Sequence, residues 1–186
     1  MSAKKPLFPN RRSAIISIAA IFLMICFGLF AIDRNNVNRL TNYQQKAMIH
    51  YETVQALVEK RIAYAKTLVG QLEPDQVSPT LKDALSLSAL DVQPARLSAG
   101  YIALDRALEV LQKAVFTTAQ YPVLAPYFDA MYAVEQELEN PVNQYNALCE
   151  YFNQQKQAFP ARWAAERLGF ADLELIAIAP ALKGRP

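Results

Sequence analysis

The chain is poor in the residues that carry most protein chemistry: one histidine, His50, two cysteines, Cys26 and Cys149, and five glycines among 186 residues. A zinc site needs three or four closely spaced ligands, and one histidine with one cysteine outside the long apolar run does not supply a usual set. General acid–base or nucleophilic catalysis also needs proton-exchanging groups placed together. His50 instead reads as an edge residue of a helix. The glycines are scattered, so no phosphate-cradling loop is present. Cys26 falls in the apolar run and Cys149 stands alone beyond it, which excludes an intramolecular disulfide outside that run. Cys149, four residues after Tyr145, reads as a buried, inert thiol. A basic cluster is missing too. The formal charge is +2, and −2 once Lys4, Lys5, Arg11 and Arg12 are set aside, which leaves no footprint for nucleic acid. No catalytic, cofactor-binding or metal-binding residue is assigned.

What the chain does have is a long apolar run, Ser13 to Ile32, twenty residues without a charge. As a helix it would measure about 30 Å, the thickness of a bilayer's hydrocarbon core. It reads as a transmembrane helix. A cleaved signal peptide is the competing reading, but the run is long for a signal core and "GLFAIDR" lacks the small residues of a cleavage site. A lipoprotein reading at Cys26 meets a bulky Ile25 before it. Four basic residues precede the run, whereas Arg34, Arg39 and Lys46 after it are offset by Asp33. The positive-inside rule then expects a single-pass protein with its N-terminus in the cytoplasm and everything from Asp33 onward extracytoplasmic, in a bacterium a protein of the cytoplasmic (inner) membrane. Residues 1–12 would be a cytoplasmic basic leader, 13–32 the span, 33–180 an extracytoplasmic helical bundle and 181–186 a frayed tail.

Beyond the span, apolar residues recur at steps of three and four from Val37 to Leu72, broken by Gln44 and Arg61, and no proline lies between Pro9 and Pro74. That pattern predicts one long amphipathic helix, with "DRNNVN" at 33–38 a candidate fray point or hinge. Three prolines and several serines make 73–95 a loop, with a short helix near 81–87. A second stripe, Leu97 to Thr118, predicts another helix. Pro126 is suited to open the next one. Its stripe includes Met131, Leu138, Tyr145, Phe152 and Phe159 at successive heptad positions, which reads as core filling, with Pro141 expected to kink or divide it. Pro160 should stop it and start a short helix, Ala161 to Leu168, capped by Gly169. The tail should pack on the bundle to about Pro180. The fold class is therefore all-α: a transmembrane helix, then an antiparallel bundle of three to four long helices.

Arg61 is a guanidinium on a core stripe, so an acid must meet it; Asp105, Glu109, Glu135 and Glu139 are the candidates, and such a pair would fix helix register. The carboxylates of "EQELE" at 135–139 read as a solvated face, with an acid–base or cation site as the alternative. Asn146 and Asn153 read as satisfying polar groups where helices meet, with recognition as the alternative.

Tyr145-Asn146, Phe152-Asn153, Phe159-Pro160 and Gly169-Phe170, with Ala165, resemble the C-terminal signature of the LemA family. Tyr121-Pro122 with Leu124 is similar to that family's Tyr-Pro element. Asn38, with Arg39-Leu40, and Arg61 with Leu68-Val69 resemble its first-helix motifs. The chain departs at Ala63–Thr67, where the family has Asp-Leu-Ile-Pro-Asn, and at Tyr51, where it has tryptophan; 121–145 is also shorter than usual. The resemblance implies a membrane-anchored extracytoplasmic helical bundle and no agreed activity. Expected partners are the bilayer through 13–32 and an envelope or membrane protein, or a second copy of the chain; no cofactor is expected. The exposed bundle, or Ile176 to Leu182, would offer the docking face. The other expectations are lipid binding or membrane shaping, and an envelope hydrolase or ligand sensor with an acidic inter-helix cleft.

Overall fold

The computed structural model describes residues 10–90 and 92–178, and among them there are helices and no strand. In order these are α1 (Arg11–Val69), α2 (Pro79–Ala84), α3 (Pro94–Val115), α4 (Tyr121–Gln157) and α5 (Ala161–Leu168). The leader up to residue 9, Asp91 and the tail from residue 179, including the frayed end expected at 181–186, lie outside the described residues.

The helix ends follow from local chemistry. Asn10 Oδ1 accepts from the Ser13 amide at 2.8 Å and opens α1. Ser78 caps α2 through its Oγ, with Pro79 in the first turn, where a missing N–H costs nothing. Gly169, at φ 67°, closes α5 in the left-handed conformation that a side chain disfavours.

The chain divides into two compact units, Met1–Asn42 with Gln155–Phe170, and Tyr43–Gln154 with Ala171–Pro186. In the first, α1 carries an apolar window long enough to cross a membrane, none of it buried by protein. In the second, α1 places Ala47, Tyr51, Val54, Val58, Ile62 and Leu68 in a core. They meet α3 residues such as Leu97, Leu104 and Leu108, and α4 residues such as Met131, Val134 and Leu138. Spacings of three and four residues put each set on one helix face, and each buried large side chain contributes about 1.5–3 kcal/mol. Inside α3, a methyl on Gly100 would lie 2.7 Å from both end carbons of Leu87. The glycine thus lets the segment after α2 lie against α3.

Several expectations need correction. The proposed hinge at 33–38 is helical throughout. Asn36 bonds within the helix, its Nδ2 donating to the Ile32 carbonyl at 2.8 Å and its Oδ1 accepting from Arg39 Nη2 at 3.3 Å. Pro126 does not open α4, which starts at Tyr121 with Pro122 in its first turn. Nor does Pro141 divide it: α4 runs through both inner prolines, and buried Leu138 and Val142 flank the second with packing that outweighs the lost hydrogen bond. Met131, Leu138, Tyr145 and Phe152 are buried as expected, but Phe159 is 74% exposed. The helix ends two residues before it, at Gln157, so the heptad phase never reaches it. The described part of the tail is extended, and Ile176 is buried in the core rather than offered as a docking face; 179–182 lie outside the described residues.

Candidate functional site

Arg61 is completely buried near the middle of the second unit. Its Nη2 donates to Asp105 of α3, and its Nη1 donates to the Tyr101 hydroxyl and, at 2.9 Å, to Glu135 Oε2 of α4. The guanidinium also lies 4.8 Å from the centre of the Tyr101 ring. Of the four acids expected as partners, Asp105 and Glu135 are chosen. Glu109 pairs with Lys113 on its own helix at 2.7 Å, one helical turn away. Arginine suits this place because its fork reaches two carboxylates on two different helices at once.

Arg61 is shared between the two acids. Glu135 Oε1 is buried with no hydrogen-bond partner among the described residues. Burial pushes the Glu135 carboxyl up from the usual glutamate range, Arg61 pulls it back and Asp105 pushes it up again. Burial likewise raises the Tyr101 phenol. Because folded Glu135 holds its proton more tightly than the unfolded chain does, its contribution is best at acid pH. It declines as pH climbs from about 4.5 through the raised value. The Glu135→Gln variant is therefore expected to show a flatter fall in stability over that window in a pH series of urea denaturations. Parallel curves for the two proteins would contradict the assignment.

Beside Glu135 an open groove of about 690 Å³ runs along α4, bounded by Glu139, Val142 and Asn146 and by Ile176 and Ile178 of the tail. Glu135 and Glu139 line it; Asp105 does not. The expected acidic cleft is thus divided, with one carboxylate at the cluster's edge and the other on the open wall.

The far wall is a strap, residues 171–178, held along α4 by the two asparagines of the repeated doublet. Asn153 Nδ2 donates to the Leu173 carbonyl and its Oδ1 accepts from the Leu173 amide, both at 2.9 Å. Asn146 does the same with Ile176, both bonds at 2.8 Å. Seven helical residues advance about 10.5 Å and three extended residues about 10 Å, so the two repeats match. Tyr145 Oη donates to the Glu174 carbonyl at 2.8 Å, and the Ala177 amide donates to Ser98 Oγ at 3.1 Å. The asparagines therefore satisfy backbone of the strap rather than groups between helices. Cys149 sits buried next to Tyr145 on the same helix, its thiol pushed up by burial.

The remaining motif residues scatter. Leu68 and Phe152 are core residues, and Tyr121 stacks edge-on with Phe116 at 5.0 Å. Asn38 is exposed on α1, whereas Pro160 and Gly169 bracket α5. The Phe170 amide donates to the Ala165 carbonyl at 3.1 Å, completing that cap. The described tail packs on the core as the sequence leads one to expect, whereas its pairing with Asn146 and Asn153 escapes sequence reasoning; the signal for it is the pair of asparagines, identical in type and two helical turns apart. Compared with known proteins, the chain matches no family model, no curated protein and no solved structure.

Proposed function

We propose that the chain is a LemA-like, single-pass protein of the bacterial cytoplasmic membrane whose helical part, outside that membrane, is a non-enzymatic docking or scaffold module. The observation that carries this reading is α1. One helix holds both the uncharged run Ser13–Ile32 and the stripe from Ala47 to Leu68 at the heart of the core. A core built on the same helix as a membrane segment is presented at a membrane. The four leader charges favour the N-terminus in the cytoplasm.

Antiparallel packing of α4 against α1 is supported by the order of contacts. Tyr43 meets Tyr151, Tyr51 meets Tyr145 and Lys60 meets Glu137, so partners on α4 descend as α1 ascends. Contacts with α3 and the segment before it ascend instead, from Tyr51 with Val92 to Arg61 with Asp105, which sets α3 in the same sense as α1. Arg61 engages both buried acids, which weighs against their use as an acid–base pair. The reading is tested by light scattering of the detergent-purified full chain and by reciprocal co-purification with any protein it captures. A defined self-association, or one partner that returns the chain when itself tagged, is the expected result. A strict monomer with no reciprocal partner would overturn it.

A further inference from the structure

Phe159 and Trp163 are large aromatics left open to solvent, 74% and 62% exposed, and their rings meet edge to face at 5.0 Å. Both belong to the first unit. There they form, with Pro160, one side of an apolar groove of about 470 Å³ whose other side is Leu29, Phe30 and Ile32, the last turn of the uncharged run. Arg167 Nη2 pins this corner to α1 through Asp33 Oδ2 at 2.7 Å, immediately past the end of the run. The inward face of α5 is Ala161, Ala164 and Ala165, so small residues bring the helix close while its large residues point away.

A water-soluble surface gains nothing by displaying a phenylalanine and a tryptophan together beside an open apolar groove. If Ser13–Ile32 fills the hydrocarbon core, its last turn lies at the outer edge of that core and Asp33 at the headgroups. This is the depth at which tryptophan concentrates, its ring in the acyl boundary and its N–H among polar groups. Arg162 and Arg167 flank it as ion pairs, with Glu166 at 2.6 Å and Asp33 at 2.7 Å, which sets polar groups beside the aromatic corner.

We propose that the Phe159–Trp163 corner is a second membrane contact, seated in the interface of the bilayer that α1 crosses. This inference rests on the reading of Ser13–Ile32 as a span. The occupant is lipid, because the corner is continuous with the apolar run, whose last turn forms the other side of the groove.

Trp163 is the chain's single tryptophan, so its fluorescence reports the corner directly. The full chain is reconstituted in vesicles of phosphatidylcholine and phosphatidylglycerol carrying a nitroxide either shallow or deep in the acyl chain. Shallow label is expected to quench Trp163 roughly twofold or more over deep label, as an interfacial depth requires, with iodide in the aqueous phase quenching weakly. Phe159→Ser should reduce the lipid quenching. In the same vesicles, protection of Cys26 from an impermeant maleimide reports the span independently. Cys26 protected with Trp163 quenched by iodide and not by lipid would overturn the corner while leaving the span. Trp163 shielded from both, in proportion to protein density, would assign the face to a second copy and also overturn it. Cys26 open to reagent, with the chain removed by carbonate, would end both readings.

Discussion

Replacing Arg61 with methionine is expected to cost the fold about 3–5 kcal/mol at neutral pH, the usual result of removing one partner from a buried ionic cluster. The substitution keeps the apolar volume of the side chain and removes the cation that bridges Asp105 and Glu135. Two carboxylates are then left close together in a space where Arg61 is wholly buried. The deficit should shrink in acid, where the Glu135 carboxyl, already raised by burial, takes up a proton. It should shrink further in the combined Arg61→Met, Asp105→Leu, Glu135→Leu variant, which replaces the whole cluster with apolar groups. Arg61→Lys should fall between, since one ammonium does not reproduce a fork aimed at two helices. Urea denaturation across pH checks the series. A loss under about 1 kcal/mol for the single variant, the scale of an exposed ion pair, would contradict the burial on which the argument stands.

The second large effect concerns the strap. Asn146→Ala and Asn153→Ala each remove a donor and an acceptor paired with the backbone C=O and N–H of one strap residue, at a cost of about 1–3 kcal/mol apiece. The double variant should release the strap and take Ile176 out of the core. Hydrogen exchange discriminates this from general destabilisation: the amides of Leu173 and Ile176 should lose protection far more than those of α3. Uniform loss across the helices would mean that the asparagines act on the core and not on the strap. Asn→Asp at either site keeps the acceptor but sets a negative oxygen against a carbonyl, and should be no better than alanine.

The helices were legible where a period of 3.6 was clean and the chain stayed in one phase. The stripe from Ala47 to Leu68, the second stripe from Leu97, and the short helix between Pro160 and Gly169 all lie where spacing and caps place them. The failures share a cause. Pro126 and Pro141 were read by their local effect, yet α4 runs through both because Phe128, Met131, Leu138 and Val142 are buried around them. Phe159 keeps the heptad count in the sequence but not in space, since the count has meaning only while the helix lasts. Arg61 announced its need for an acid, and the four candidates included both true partners; choosing between them required knowing which faces of α3 and α4 turn inward. The strap was invisible to periodicity because it has none. Its extended backbone is specified by side chains on another element, twenty to thirty residues earlier in the chain.

These assignments change what the repeated doublet signifies. Tyr145 and Phe152 fill the interior, while the asparagine behind each one faces outward and fixes the strap. The third doublet, Phe159-Pro160, belongs to a different task, turning the chain out of α4 and presenting an aromatic corner beside the apolar run. One sequence rhythm thus serves core, strap and corner in succession.

The central claim, a helical docking module carried outside the cytoplasmic membrane, is tested most directly by one labelling measurement in intact spheroplasts. Ala133 is exposed on α4, so Ala133→Cys in a Cys26→Ser background places a single accessible thiol there while buried Cys149 stays silent. An impermeant maleimide bearing a photocrosslinker is expected to label the thiol from outside and, on illumination, to join the chain to one recurrent membrane or envelope protein or to a second copy. Labelling only after the membrane is broken would contradict the orientation; efficient labelling with no recurrent crosslink would contradict the docking role.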